Sequence, residues 1–511
     1  MRHTAANVFL LILTGALAAP TWSQQSAHVT PAKAATSKPA VKVTPSAQFV
    51  FGSIGIASKS VAAKQQLELA LDSYELAQYA DAVKHAQLAA AKDPQSALAY
   101  AVWSYAARMM DSAPDALAKA QALSAKSAPD EKLLVVFMVG AQQADSLPAI
   151  IAMNDLVQKH PKDKHVLYLA GDWLSSQEDS VRGRKLLEKS LEQDPNFAPA
   201  LNSLGYAYVG SLEPAKGISL LRRYAEVLPD DPNAQDSLGE VLRITGDDEG
   251  SLARYAAALD ISSTFLTSQY GRGDTFTLMG KYSQARAEYD KALKIATDEH
   301  DILHIEFQKA LVFFWQGDLG TGRAELAALS AKAAEANDMM AQFEIDYARV
   351  LLAPDAKAAG ELLAAMEARL SNVPTDKLTA ERNEEYATVL REEVRLALAA
   401  HKPNDADALI QKLDQLAAAS RDQKVESIYE SARGLVMAAS GDYANAVDEL
   451  TSDLHSPFVV QQLIVAQQKL NNPEATEKAQ LRLKYLRTPT AEWFAVTKHT
   501  TETAQSAATN Q

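Results

Sequence analysis

Cysteine is absent from this chain of 511 residues. Without thiols there is no disulfide framework, no thiolate metal site and no cysteine nucleophile. The same absence excludes a lipid-modified N-terminal cysteine. The folded chain therefore depends on packing and hydrogen bonding alone for its stability.

Acidic residues are missing from the first 60 positions, which contain only bases: Arg2, Lys33, Lys38, Lys42 and Lys59. The remaining 451 residues carry 45 bases and 64 acids, a net charge of −19. Nucleic-acid binding needs clustered positive charge. We therefore expect no nucleic-acid partner.

Long hydrophobic runs are missing as well. Residues 7–19 form an apolar run behind a short basic start, and small residues at Ala16, Ala18 and Ser23 offer cleavage sites. The run is too short to span a bilayer, and this order is typical of a secretory signal peptide, with a retained signal anchor as the alternative. We expect residues 1–23 to be removed, and the mature chain to be periplasmic or secreted in a bacterium with no stable membrane span.

Residues 24–60 connect this leader to the body of the chain. Ala, Pro, Ser, Thr and Lys dominate residues 24–47, the composition of a flexible linker. Residues 48–56 (QFVFGSIGI) form a short β-prone apolar run. We expect a lid on the first helix pair, which would otherwise expose an apolar end, with a docking strand for another protein as the alternative.

Catalytic signatures are also missing: there is no Gly-rich phosphate loop, no GxSxG elbow and no SxxK set. His300 and His304 have a spacing that can bind zinc, but no HExxH motif accompanies them, and we predict capping and surface roles instead. Five glutamates are predicted to form the solvated face of one long helix: Glu381, Glu384, Glu385, Glu392 and Glu393. The sequence thus predicts a non-catalytic protein with no cofactor and no metal.

What the chain does have is a repeat. Five prolines stand 35, 32, 34 and 34 residues apart: Pro94, Pro129, Pro161, Pro195 and Pro229. A pair of amphipathic segments lies upstream of each. A period of about 34 residues with this layout is typical of stacked helix-turn-helix units.

The clearest unit lies at residues 269–292. Gly273 allows the first helix of this unit to approach the second, and Gly280 supplies the left-handed residue that ends the first helix. Ala285 stands where two helices cross without room for a larger side chain. Tyr289 fills the wedge toward the next pair.

This pattern closely resembles the tetratricopeptide repeat. Other units place small and large residues at the same positions, as in LNSLGYAYVGSLEPAKGISLLRRYAEVLP (201–229), where Gly217 replaces the usual alanine. The resemblance implies an all-α solenoid, a right-handed superhelix of about 11–12 helix pairs. We predict a regular array at 61–337, irregular repeat-like pairs at 338–422, further units at 423–487 and a disordered tail at 488–511.

Within the irregular region, residues 344–352 and 356–370 are predicted to form a helix pair. Residues 378–400 are predicted to form one long helix, with a second returning from 405 to 419. A last pair is predicted at 458–487, its second helix beginning at Pro473.

The family binds extended peptides on a concave face lined by the first helix of each pair. Carried over by position, this face holds Tyr105, Arg108, Tyr168, Asp172, Asn202, Tyr206, Asp236, Glu240, Arg243, Tyr270 and Asp274. Tyrosines supply rigid contact area, and carboxylates pair with the Lys or Arg of a partner. The Lys/Asn clamp that some members use for acidic peptide termini is missing. We therefore expect protein or peptide partners with neutral-to-basic segments, or else these residues are merely solvated helix faces.

Taken together, the sequence predicts a non-catalytic interaction scaffold of the bacterial cell envelope. Two alternatives remain: a glycan- or cell-wall-binding module that uses the tyrosines, and an envelope enzyme with its site in residues 338–422. A compact non-repeat domain in that region would favour the enzyme.

Overall fold

The computed structural model describes residues 50–108, 113–177, 180–374 and 379–497. The predicted signal peptide and most of the predicted linker lie outside these residues. A two-stranded antiparallel hairpin, β1 (Val50–Phe51) and β2 (Ile54–Gly55), precedes the helices. Everything that follows in the described ranges is helical or a connection between helices.

The helices α1 to α24 form twelve consecutive hairpins. Their bounds are Val61–Glu75, Tyr79–Lys92, Ala97–Ala107, Pro114–Leu123, Pro129–Gly140, Leu147–Lys159, Lys164–Ser176, Ser180–Gln193, Ala198–Gly210, Pro214–Val227, Pro232–Thr245, Asp248–Ile261, Leu266–Leu278, Tyr282–Ile295, Glu299–Gln316, Leu319–Ala336, Met339–Leu351, Ala356–Ser371, Ala380–Ala399, Pro403–Ser420, Gln423–Ser440, Tyr443–Leu450, Pro457–Lys469 and Pro473–Lys484. A 3₁₀ turn, Ser124–Lys126, follows α4.

Short polar side chains begin many of these helices. Asp163, Asp231 and Asp247 each accept hydrogen bonds from backbone N–H groups in the first turn of the helix that follows. Such caps satisfy donors that have no partner inside the helix. Gly246 and Gly280 lie in the left-handed region just after α11 and α13, where a side chain would be strained. The predicted role of Gly280 is therefore confirmed.

Close contact between small and large residues joins the two helices of a hairpin. A Cβ added to Gly273 would lie 2.6 Å from the ring of Tyr289, and one added to Gly217 would lie 2.4 Å from the carbonyl oxygen of Gly205. Tyr289 and Ala285 are fully buried. Each hairpin packs on the next, so the predicted all-α solenoid is confirmed, and its fold is of the tetratricopeptide type.

The β-hairpin covers the first helix pairs, as the lid interpretation predicts. Phe51, Ile54 and Ile56 are buried in one apolar cluster with residues of α1, α3 and α5. At the hairpin turn, the Ser53 hydroxyl donates to Asp163 at 2.6 Å. The apolar end of the array is thereby shielded from water.

The irregular region consists of two further hairpins. Helices α17 and α18 correspond to the predicted pair, although α17 begins five residues earlier, at Met339. The predicted long helix is α19, and α20 returns antiparallel to it. No compact non-repeat domain occurs among the described residues of 338–422. The last predicted pair is also confirmed, with Pro473 as the first residue of α24.

The prediction of a disordered tail from Thr488 is wrong for residues 488–497; the rest of the tail lies outside the described residues. A short helical segment occupies 491–497, with Ala491, Ala495 and Val496 buried. The Phe494 ring lies 5.1 Å from the ring of Trp315. These apolar side chains cover the apolar end of α15, which holds the segment in place.

The C-terminal helices also fold back onto much earlier hairpins. Arg482 of α24 donates to the carbonyl of Gly210 at the end of α9. Arg487 donates to both carboxylate oxygens of Asp248, at 2.6 and 2.9 Å. We call residues 482–497 the C-terminal strap. It joins the last hairpin to the fifth, sixth and eighth hairpins.

Candidate binding face

The eleven residues predicted to line the concave face all belong to first helices or their caps, namely α3, α7, α9, α11 and α13. Hydrogen bonds link these helices at repeat spacing. The Ser203 hydroxyl donates to Asp172 at 2.8 Å, and the Ser268 hydroxyl donates to Asp236 at 2.5 Å. The Tyr206 hydroxyl donates to Glu240 at 2.7 Å. These hydrogen bonds connect the fourth hairpin to the fifth, the fifth to the sixth and the sixth to the seventh.

Four of the eleven are too buried to contact a partner in this conformation. Tyr105 is 1% exposed, Tyr168 6%, Arg243 4% and Asp274 8%. These four residues lie on first helices, as predicted. The prediction that they line an open groove is wrong, because their side chains are buried. The remaining seven, Arg108, Asp172, Asn202, Tyr206, Asp236, Glu240 and Tyr270, are partly exposed.

The burial of the two tyrosines has a local cause, because the C-terminal end of α1 packs across α3 and α7. The Tyr74 ring lies 5.2 Å from that of Tyr105, which lies 5.9 Å from that of Phe137. The Tyr168 hydroxyl donates to the backbone carbonyl of Glu75. These rings form part of the core between repeats rather than a binding surface.

Arg243 and Asp274 are buried because they neutralise one another inside the array. The Arg243 guanidinium lies 3.4 Å from Glu240 and 3.9 Å from Asp274. Asp274 also accepts a hydrogen bond from the Tyr289 hydroxyl at 2.7 Å. A charge buried in this way needs such partners, which makes the cluster structural.

The negative charges of the partly exposed carboxyls are balanced less completely by neighbouring groups. Burial raises the pKa of Asp236 to about 7, an effect that Ser268 opposes and the nearby Glu240 carboxylate increases. Burial likewise raises the pKa of Asp172, although Ser203 and Arg108 favour its ionised form. The predicted concave face therefore holds carboxyls whose negative charge neighbouring groups only partly balance.

The long helix α19 adds carboxyls that the sequence did not assign to this face. Burial raises the pKa of Glu381, with Glu384 adding to the rise, whereas Arg108, Lys424 and His300 oppose it. Helices α3, α15, α19 and α21 therefore bring charges within electrostatic range of the Glu381 carboxyl. We call Arg108, Asp172, Asp236, Glu240 and Glu381 the inner acidic face.

The predicted solvated face of α19 is only partly correct. The Glu381 side chain is accessible to solvent even though the surrounding protein partly desolvates its carboxyl. Glu392 is 3% exposed, accepts a hydrogen bond from Tyr347 at 3.2 Å and pairs with Arg395 at 2.8 Å. No signal in the sequence could have placed Glu381 within electrostatic range of Arg108, because the two residues come near each other only through contacts between distant hairpins.

His300 and His304, whose spacing could bind zinc, contact other side chains. The His300 ring contacts Asp338 at 2.5 Å, and the His304 ring lies against Tyr270 with centroids 5.3 Å apart. The prediction of surface placement is wrong for His304, which is 5% exposed. In the part of the chain that the structure describes, no group of three or more His, Asp or Glu side chains could hold a metal ion. In the same residues, no helix combines the length and apolar character needed to cross a bilayer.

Several solved structures are similar to parts of the chain. A tetratricopeptide repeat protein from Parabacteroides merdae is 14% identical over 53% of this chain and 93% of its own, with a TM-score of 0.33. MamA is 18% identical over 33% and 96%, with a TM-score of 0.27. YrrB, a TPR protein with an unusual peptide-binding site, is 15% identical over 37% and 95%, with a TM-score of 0.26. No protein-family model and no curated protein matches the chain.

Because these TM-scores are low, the class of protein follows from the chain's own hairpins and their close-packed residues. It is a tetratricopeptide-type α-solenoid.

Proposed function

We propose that this protein is a non-catalytic scaffold that binds partner proteins through its inner acidic face. The observation that carries the proposal is the placement of three partly exposed carboxyls, Asp172, Asp236 and Glu240, on first helices of the array. Burial raises the pKa of Asp172 and Asp236, which supports it. A Lys or Arg side chain from a partner would stabilise the ionised carboxylates. Tyr206, whose hydroxyl donates to Glu240, and Tyr270 lie on first helices and would supply rigid contact area.

The preferred partner is an extended neutral-to-basic segment of a protein. An acidic segment would add negative charge to carboxyls that are already poorly compensated, and nucleic acid would do the same. Binding of a basic segment lowers the pKa of Asp236, so the complex releases a proton near neutral pH. Affinity should therefore fall as the pH drops below about 7.

A fluorescein-labelled decapeptide of alternating lysine and glycine tests this proposal. We expect the native chain to bind it about tenfold more weakly at pH 6 than at pH 8, and more weakly in high salt. Asp236→Asn should weaken binding at pH 8 and remove most of the pH dependence. Fluorescence anisotropy measures both effects.

The matched control is Glu249→Gln on α12, the second helix of the same hairpin. The Glu249 side chain is 79% exposed, so its removal should leave peptide affinity unchanged. Equal losses in both variants would indicate a nonspecific effect of net charge. Affinity that ignores both salt and Asp236→Asn would contradict the proposal.

We further propose that the scaffold works in a bacterial cell envelope. The support is the leader at residues 1–23, whose order of basic, apolar and small residues favours export. Expression of the whole chain, followed by fractionation and N-terminal sequencing, tests this. A mature protein that begins near residue 24 in the periplasm or medium is the expected result, and an intact cytoplasmic chain would contradict it.

A further inference from the structure

The third hairpin meets the tenth and eleventh hairpins along a narrow polar contact, which we call the seam. One side is the connection between α5 and α6, residues 142–146. The other side consists of residues 379–383 at the start of α19 and residues 420–422 just before α21. Sequence separations of up to 276 residues are bridged here.

Hydrogen bonds account for the contacts across the seam. The Ser146 backbone N–H donates to the carbonyl of Ser420 at 3.0 Å, and its hydroxyl donates to Asp422 at 3.0 Å. The Asn383 amide donates to the carbonyl of Ala144 at 3.1 Å. Arg421 donates through Nε to Asp145 at 2.9 Å, and both side chains are substantially exposed.

Apolar packing does not reinforce this contact. Among the described residues, the cluster that contains α5 and α6 ends at α8, and the cluster of α19 to α21 has no member before Tyr386. The strap differs, since Trp493 and Phe494 lie against Trp315. Water can satisfy every polar group of the seam when it separates, whereas separation of the strap exposes aromatic surface.

The seam also borders the inner acidic face. Glu381 lies between Ala380 and Asn383, both of which bond across the seam, and its carboxyl senses Arg108 of the second hairpin. Glu381 and Arg108 already have some solvent access, and separation of the two sides would widen the approach to them from the flank of the solenoid.

We propose that the seam opens reversibly while the strap stays in place, and that this opening admits a partner to the inner acidic face. The inference rests on the proposed function for the identity of the partner, but the opening itself does not. Closed and open forms differ by a small set of polar contacts, of which the Arg421–Asp145 pair is exposed and the other side chains are buried. Because water replaces these hydrogen bonds on separation and no apolar packing between described residues is lost, we expect both forms to be accessible at equilibrium.

Thiol labelling measures opening without any ligand, because the native chain has no cysteine. Ser146→Cys places one thiol in the seam, where Ser146 is 2% exposed. Ser431→Cys is the matched control, since Ser431 is 0% exposed in the middle of α21 and its hydroxyl donates to the carbonyl of Ile428 in the same helix. We expect the seam thiol to react with Ellman's reagent at least about 100-fold faster than the control. Comparable rates would overturn the proposal.

A reversible lock tests whether opening admits the partner. Gln143 and Thr379 form an antiparallel bridge across the seam, a geometry that suits a disulfide in Gln143→Cys/Thr379→Cys. Val50→Cys/Gly55→Cys is the control, a paired position inside the β-hairpin. We expect the oxidised seam variant to associate with the lysine–glycine decapeptide at least about tenfold more slowly than its reduced form, with no change in the control.

The outcomes separate the two proposals. Equal association of the oxidised and reduced seam variants would overturn the gating role and leave the proposed function standing. A decapeptide that binds none of the forms would contradict the proposed function and the admission of a basic partner, and the labelling rates would still decide whether the seam opens.

Discussion

At the scale of single residues, helix contact in this protein depends on pairs of very small and very large side chains. The sequence indicates these pairs because they recur at repeat spacing, and Gly273 with Tyr289 confirms the pattern. Gly217, where the family usually has alanine, has a reason that only the coordinates reveal. It lies against the backbone carbonyl of Gly205 and the Val209 side chain, so α9 and α10 approach more closely than an alanine allows.

Gly217→Ala should therefore destabilise the protein by about 1–3 kcal/mol, because the new methyl group meets the backbone of Gly205 as well as the Val209 side chain, and the backbone cannot move aside. The helix propensity of alanine offsets part of this, at most about 1 kcal/mol. The midpoint of urea unfolding measures the change.

Gly360→Ala on α18 is the control, because its Cβ would find Leu396 at 3.5 Å, an ordinary contact. The higher helix propensity of alanine should make this variant as stable as the native chain, or more stable by up to about 1 kcal/mol. Destabilisation of both variants by the same amount would show that close contact at Gly217 is not the cause.

At the scale of elements, the strap is a structure that the 34-residue repeat period could not predict. Residues 488–497 contain no repeat signature, and a polar tail follows them, so the sequence favoured fraying. In the structure, Trp493 and Phe494 reach α15, and the Ser456 hydroxyl donates to Glu492 at 2.8 Å. One short amphipathic segment is ordered because a distant helix end offers it apolar surface.

Glu492 makes the stability of the strap depend on pH. Burial raises the pKa of Glu492 to about 8, against the opposing effects of Arg391 and Ser456. Because the folded pKa lies above the unfolded value, this group's favourable contribution is complete below about pH 4.5 and disappears as the pH rises through about 8. We expect the stability advantage of Glu492→Gln over the native chain to grow by a few kcal/mol as the pH rises from 6 to 9.

Urea unfolding of both chains at these two pH values measures the difference. Gln is a suitable replacement because it keeps an oxygen that accepts from Ser456. A difference between variant and native chain that stays the same at both pH values would show that Glu492 does not ionise in this range.

At the scale of the whole molecule, contacts between distant hairpins decide which surfaces remain accessible. Helix α1 packs over Tyr105 and Tyr168, so these residues do not line the predicted groove. Helix α19 places Glu381 near it. Neither event leaves a trace in local sequence. The accessible part of the predicted face is therefore smaller and more acidic than the sequence alone predicts.

The exposed pair across the seam offers a test at this scale. Arg421→Glu places two carboxylates opposite each other, so the open form should gain about 1 kcal/mol, a roughly fivefold increase in population. The labelling rate of Ser146→Cys in the Arg421→Glu background measures this increase. Exchange of the pair, Asp145→Arg with Arg421→Glu, should restore a slow rate, and failure of the exchange would show that the charge pair does not hold the seam.

The sequence by itself determined the helix hairpins, their period and the net acidity of the chain, because these properties depend on side-chain spacing, capping residues and composition within about 34 residues. Only the tertiary structure decided which tyrosines are covered, which glutamates face inward, and that the strap and the seam bring distant hairpins together. Those outcomes depend on small rotations between neighbouring hairpins that add up along the array, and no residue encodes the sum locally.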